Sequence, residues 1–244
     1  MKKLLTLMCR EFAGYFATPV AYVFIVIFLF LTGIFTFYVG GFYERNQADL
    51  EPFFRYLPWL YMLLIPAISM RLWSEERKSG TIELLMTLPI SLMDAVLGKF
   101  FAAWLFTALA LTLTFPLWLT VNYLGEPDNA VIAGGYLGSL LMAGGFLAIG
   151  SCVSALTKNQ VIAFVTSFVI CFAFNLSGFP IVLDFFHGWA PHAVIDTISS
   201  FSFLTHANSI QKGVLDLRDV IYFVSLIGVF LYANMLAIDV KKGS

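Results

Sequence analysis

Charged residues divide this chain into long apolar runs, and the lengths of those runs predict its elements. No charge occurs from Phe12 to Tyr43, and 26 uncharged residues separate Lys99 from Glu126, 29 separate Asp128 from Lys158, and 25 separate Lys158 from Asp184. Roughly 20 apolar residues cross the ~30 Å hydrocarbon core of a bilayer, so each of these runs predicts a membrane-spanning helix. The first extends from about Val20 to Gly41, and the last lies between Asp219 and Asp239. The run between Arg55 and Arg71 is only 15 residues and contains Pro58 and Pro66. That span must take in an arginine, and Arg71 at its end is the better choice, because a long side chain near a helix end reaches the headgroups.

The other segments read differently. Residues 2–17 put Leu5, Met8, Phe12 and Tyr15 on one helical stripe and Lys3, Thr6 and Arg10 opposite, the pattern of an amphipathic helix lying in the membrane interface. No small-residue cleavage site follows, so the segment reads as part of the mature protein rather than a signal peptide. Residues 179–215 are mostly apolar yet carry Pro180, Trp189 and Pro191. Such a segment suits one or two short helices re-entering the outer leaflet. Ser91 and Asp94 have capping-box spacing and open the third span, in which Pro116 predicts a kink. The fourth span holds Gly134, Gly138, Gly144, Gly145 and Gly150, small residues that let helices pack backbone to backbone in lipid. Asp216 is expected as the N-cap of the last span, with Asp219 three residues on.

The one long interruption is Met70–Ser91, with Glu75, Glu76, Arg77 and Lys78 in a row, then Ser79-Gly80-Thr81. Thr81 can cap a helix start and Pro89 cannot continue one, which predicts about two turns from Ile82 to Leu88. This short helix would show Ile82, Leu84, Leu85 and Leu88 with only Glu83 charged. It is too short to span and too apolar to lie bare in water, although from the residues alone an ordinary charged loop between spans reads equally well.

Composition agrees with the runs. With 60% hydrophobic and 12% charged residues and a mean hydropathy of +0.87, the chain is far from the roughly one-quarter charged composition of soluble domains. A formal net charge of −1 leaves no cationic excess for nucleic acid. Cys9, Cys152 and Cys171 are odd in number and without CxxC spacing, so they read as small core residues. Six spans place both termini on one side, and ten of the 14 Lys and Arg residues fall there, which makes it the cytoplasm.

The stretch Glu75-Glu76-Arg77-Lys78-Ser79-Gly80-Thr81-Ile82-Glu83-Leu84-Leu85, followed by Thr87-Leu88-Pro89-Ile90-Ser91, resembles the first cytoplasmic loop of type-2 ABC exporter membrane subunits, closest to the gliding-motility permease (GldF-like) branch. Phe203, His206, Gly213, residues 215–219 and Tyr222 resemble that branch's approach to its last span. The resemblance implies an all-α polytopic permease filling residues 1–244. Its parts would be six transmembrane helices, the amphipathic helix at 2–17, a cytoplasmic coupling loop at 75–91 with a coupling helix at 81–88, and re-entrant helices at 179–215. It implies that Glu75, Glu76, Arg77, Gly80, Thr81, Glu83, Leu84, Leu85 and Pro89 form the ATPase-coupling element. It further implies a separate ABC ATPase subunit holding ATP and magnesium, a second permease (an identical copy or a related chain), room for an accessory extracytoplasmic protein, and a place in the bacterial inner membrane.

No G-x-x-x-x-G-K-[ST] occurs in the chain, so no P-loop, catalytic residue, cofactor or metal is assigned to it. Asn175-Leu176-Ser177-Gly178 faintly resembles the ABC signature but sits in an apolar span. His187, His192 and His206 suggest a metal site or, with Asp196 and Ser199, an intramembrane hydrolase, against which no nucleophile motif surrounds the serine and no acid stands near His206. An ATP-independent channel or secondary carrier is the main alternative. The absence of charge from the middle of the spans weighs against it, and an uncharged path lined by residues such as Thr107, Thr112, Asn122, Thr166 and Asn175 suits an amphiphilic substrate.

Overall fold

The computed structural model describes residues 2–83, 90–187, 191–211 and 216–240, and every regular element among them is helical. Among the described residues, five helices are long and apolar enough to cross a membrane: Pro19–Val39, Glu51–Ser79, Leu92–Leu124, Asn129–Leu156 and Leu217–Val240. Gln160–Leu176, expected as a full span, is 17 residues, about 25 Å at ~1.5 Å per residue.

The amphipathic helix α1 (Lys2–Phe16) forms as expected, but its packed face is rotated. Leu7 is buried at 6% exposure while Leu5 is 50% exposed. Leu7 is drawn in because Gly98 leaves room for it: a Cβ there would stand 2.8 Å from Leu7 Cδ2. Tyr15, from the expected stripe, stacks on Phe106 with ring centroids 4.9 Å apart. Cys9 is exposed, correcting its assignment to the core, whereas Cys152 and Cys171 are buried.

Helix α2 (Pro19–Gly33) begins with Pro19 in its first turn, where the missing N–H costs nothing. It buries only Ala21, Phe24, Phe28 and Thr32, one stripe at helical spacing, and ends in a π turn over Ile34–Val39. Helix α3 (Glu51–Ser69) takes Pro58 and Pro66 into its interior. The chain turns at Met70 and continues directly as α4 (Arg71–Ser79). The charged run Glu75–Lys78 is therefore helical, an extension of the second span.

Helix α5 (Leu92–Thr112) opens with the predicted capping box, in which Ser91 Oγ accepts from the Asp94 N–H at 3.0 Å and Asp94 accepts from the Ser91 N–H at 3.3 Å. It breaks at Leu113–Thr114, and α6 (Phe115–Leu124) restarts with Pro116 in its first turn. The expected kink thus falls just before the proline.

Helix α7 (Asn129–Leu156) is the centre of the bundle, with 83% of its most apolar window buried. It packs against α3, α4, α5, α8 (Gln160–Leu176), α11 (Phe203–Gln211) and α12 (Leu217–Val240). Its glycines make this possible. A Cβ on Gly150 would stand 1.9 Å from Ser69 Oγ, and one on Gly145 would stand 2.9 Å from the Phe203 ring.

Between α8 and α12 the described residues form α9 (Pro180–His187), α10 (His192–Ser200) and α11, three short helices where one or two were expected. Phe203 of α11 is fully buried and stacks on Phe146 at 4.4 Å, while Ile181 and Phe185 of α9 are exposed. Asp216 Oδ1 accepts from the Arg218 N–H at 3.2 Å, as expected of a helix cap. Asp219 does something the sequence did not announce. It is 5% exposed and its Oδ1 lies 2.6 Å from His206 Nδ1. The reading that no acid stands near His206 is thereby corrected: the packing of α11 beside α12 brings together residues 13 apart. His206 Nε2 lies 3.0 Å from the Ser200 carbonyl and the ring stacks on Tyr222 at 3.9 Å. This cluster pins α11 to α12. The side chains of His187 and His192 lie outside the described ones, and among the described residues no three His, Cys, Asp or Glu side chains come together.

Candidate coupling site

Helix α4 is held by its neighbours at almost every turn. The chain turns at Met70, so the first N–H groups of α4 need acceptors beyond the helix ladder. Ser154 Oγ of α7 supplies one, accepting from the backbone N–H of Trp73 and of Ser74, each at 3.1 Å, while its hydroxyl donates to the Met70 carbonyl at 2.8 Å. Trp73 is fully buried and its Nε1 donates to Ser151 Oγ at 3.3 Å. Ser151 also accepts from Asn234 Nδ2 of α12 at 2.7 Å. One turn further on, Arg77 Nη1 donates to the Ala155 carbonyl at 2.6 Å, near the end of α7, where carbonyls lack helix partners and the macrodipole favours a cation.

A buried ion triad ties the same helix to two others. Lys99, in α5, is 4% exposed, with Nζ 2.7 Å from Glu76 Oε1 of α4 and 3.0 Å from Glu11 Oε2 of α1. It lies over the Trp73 ring, 5.4 Å from the centroid. Two carboxylates around one ammonium leave an excess negative charge, which Arg10 offsets through a 2.8 Å contact with Glu11. Burial pushes the Glu11 carboxyl up, but Lys99 and Arg10 together outweigh it and hold the group below its ordinary value. Glu76 Oε2 is buried without a hydrogen-bond partner among the described residues.

Of the nine residues assigned to coupling, the structure divides six sharply. Glu76 and Arg77 are anchored as described, and Glu75 is exposed beside them. Gly80 ends α4 with φ 73°, the left-handed conformation that glycine adopts without a Cβ penalty. Thr81 does not precede its helix: residues 81–83 are already helical, and its Oγ1 lies 2.8 Å from Ser79 Oγ and 3.5 Å from the Glu76 carbonyl. Glu83 is exposed at the end of this turn. Leu84, Leu85 and Pro89, and with them most of the expected coupling helix, lie outside the described residues. Sequence reasoning missed Lys99, Glu11, Trp73, Ser151 and Ser154. The only available signals were that Lys99 is the sole cation between Asp94 and Glu126 and Glu11 the sole acid of the N-terminal helix.

Gly80 can be tested without steric ambiguity, since a Cβ there would meet nothing within 4 Å. Gly80→Val is expected to strain the backbone by about 1–2 kcal/mol and displace the turn at residues 81–83. Gly80→Asn, which tolerates this conformation, is expected to behave as wild type. Pulsed EPR distances from a label at Thr81 to one at Lys158 check this: a shift in the valine variant and none in the asparagine variant.

The described residues form a polytopic helical bundle whose second span continues into a charged helix fastened by an ion triad and a serine clasp. The model of the ABC-2 family transporter proteins matches residues 59–238, more than half of the 244-residue chain. The chain belongs to that family. It is a membrane permease component of an ABC-2 transporter. No curated protein matches it.

Proposed function

We propose that the chain is the permease subunit of an ATP-driven exporter in the bacterial inner membrane, closest to the GldF-like branch, with ATP and magnesium bound by a separate ATPase. In this reading Gln160–Leu176 is the fifth of six spans, shortened at its end by the turn into the outer re-entrant helices. Both termini and residues 71–91 then face the cytoplasm. A second permease, identical or related, completes the pathway, and an accessory extracytoplasmic protein has room against the outer segment. The carrying observation is that α4, which leads directly into the Leu84-Leu85 stretch, is joined by Lys99 to α1 and α5 and by Ser154 to α7. A push delivered to α4 by a closing ATPase would reach α1, α5 and α7 through these contacts. Of the polar residues expected along an uncharged path, Thr107 and Asn175 are buried in the bundle while Thr112, Asn122 and Thr166 are exposed, so a pathway for an amphiphilic substrate would draw on the latter three.

The decisive variant replaces Leu84 and Leu85 with aspartate. Covering a leucine is worth roughly 1.5–3 kcal/mol, so the double variant is expected to lose co-purification with the ATPase while remaining inserted and folded. Intact assembly and unchanged substrate-stimulated hydrolysis in liposomes would sink the coupling assignment. Orientation has its own check. In a cysteine-free background, a single cysteine at Glu126 is expected to react with an impermeant thiol reagent on intact cells and one at Ser79 is not; labelling of Ser79 from outside would reverse the topology.

A further inference from the structure

A partly open cavity of about 620 Å³ lies among α1, α2, α3, α4 and α5. Its wall is apolar on two sides, Val23, Phe24 and Ile27 of α2 facing Leu64, Ala67 and Ile68 of α3. Six charged residues line the rest: Arg10, Glu11, Arg71, Glu75, Glu76 and Lys99. Four of them, Arg10, Glu11, Glu76 and Lys99, neutralise one another in the triad and its flanking pair. That leaves Arg71 and Glu75, one turn apart on α4, both exposed and neither with an ion-pair partner among the described residues. The cavity therefore presents one guanidinium, one carboxylate and an apolar wall continuous with a membrane-spanning helix.

We propose that this cavity binds one bilayer phospholipid with a phosphoethanolamine headgroup. Its phosphate sits on Arg71, which offers paired donors suited to phosphate oxygens. Its primary ammonium donates to Glu75, and one acyl chain lies along Val23, Ile27 and Ile68. The volume falls within the range of ligand sites, ~300–1,000 Å³, enough for the headgroup and the upper part of one chain, the remainder staying in the bilayer. Charge complementarity selects among lipids. A phosphoglycerol headgroup leaves Glu75 facing a net anion, and a quaternary choline has no N–H to give it. The inference depends on the membrane location of the chain and not on its coupling role.

The test is native mass spectrometry of the full chain, reconstituted with an equimolar mixture of phosphatidylethanolamine, phosphatidylcholine and phosphatidylglycerol and then stripped with detergent. One phosphatidylethanolamine per protomer is expected to survive, enriched on the order of tenfold, the effect of about 1.4 kcal/mol from a charge-assisted contact. Glu75→Gln should keep a lipid but lose the preference over phosphatidylcholine. Arg71→Gln should lose retention of all three lipids, and Ala67→Trp should do the same by filling the cavity. Circular dichroism melting separates these outcomes from misfolding, and Arg71→Gln, at an exposed position, is expected to melt as wild type. Equal retention of the three lipids by the wild type, or retention unchanged in Arg71→Gln, would overturn the assignment. So would loss of permease self-association in Ala67→Trp with the lipid retained, which would place a second copy in the cavity. No ATPase enters the measurement, so its failure is distinct from failure of the coupling reading.

Discussion

Lys99→Met is expected to destabilise the protein by about 3 kcal/mol, the lower end of the cost of removing one partner from a buried ion pair. The substitution keeps most of the length of the side chain, one atom short of the ammonium, but leaves Glu11 and Glu76 facing each other across an uncharged gap. Both carboxylates retain 21% side-chain exposure, which gives water partial access and holds the cost to that lower end. The measurement is the thermal midpoint of the purified permease. The diagnostic result is recovery in the triple variant Glu11→Gln, Lys99→Met, Glu76→Gln, where no charge is orphaned. If the exporter reading holds, the triple variant recovers stability but not stimulated ATP hydrolysis, because α1 and α5 are no longer bound to α4 by charge. A single variant as stable as wild type would mean that the three residues meet in solvent.

The second large effect concerns the α3–α7 contact. Gly150→Val places its Cβ 1.9 Å from Ser69 Oγ and 2.6 Å from Ser69 Cβ, so the helices must separate. Overpacking of this kind typically costs ~1–3 kcal/mol, and here the separation would also strain the Ser154 clasp one turn along. The expected outcome is loss of the monodisperse peak on size-exclusion chromatography in detergent. Gly150→Ala should be milder, and Ser69→Gly should partly rescue it. Gly228 of α12, with nothing within 4 Å of its Cβ position, is the control: Gly228→Ala is expected to be neutral or slightly stabilising.

These two expectations mark the border of what could be read from residues alone. The apolar runs were sufficient for five of the six expected spans, because the ~30 Å hydrocarbon thickness acts on length and hydropathy, which are local properties of the chain. The capping box at Ser91 and Asp94 and the cap at Asp216 were legible for the same reason, their partners lying within three residues. Ser79-Gly80-Thr81 marks a break in the helical pattern by its residue types, and Gly80 sits there at φ 73°.

What tertiary structure alone decided was partnership. Glu11, Glu76 and Lys99 are scattered over almost ninety positions; Glu76 read as coupling-loop charge, Lys99 as the edge of a span, and Glu11 was not singled out. Only the crossing of α1, α4 and α5 makes them a triad. His206 and Asp219 could not be joined from the sequence because a spacing of 13 has no local periodicity, yet the packing of α11 beside α12 brings them to 2.6 Å. The rotation of α1 toward Leu7 was set by the hole over Gly98, and the helical state of Glu75–Lys78 by the acceptors waiting at Ser154 and Ala155. Hydropathy along a chain determines which segments leave water. The identity of each segment's neighbours depends on shape and charge distributed over the whole bundle, and appears only when the helices are packed.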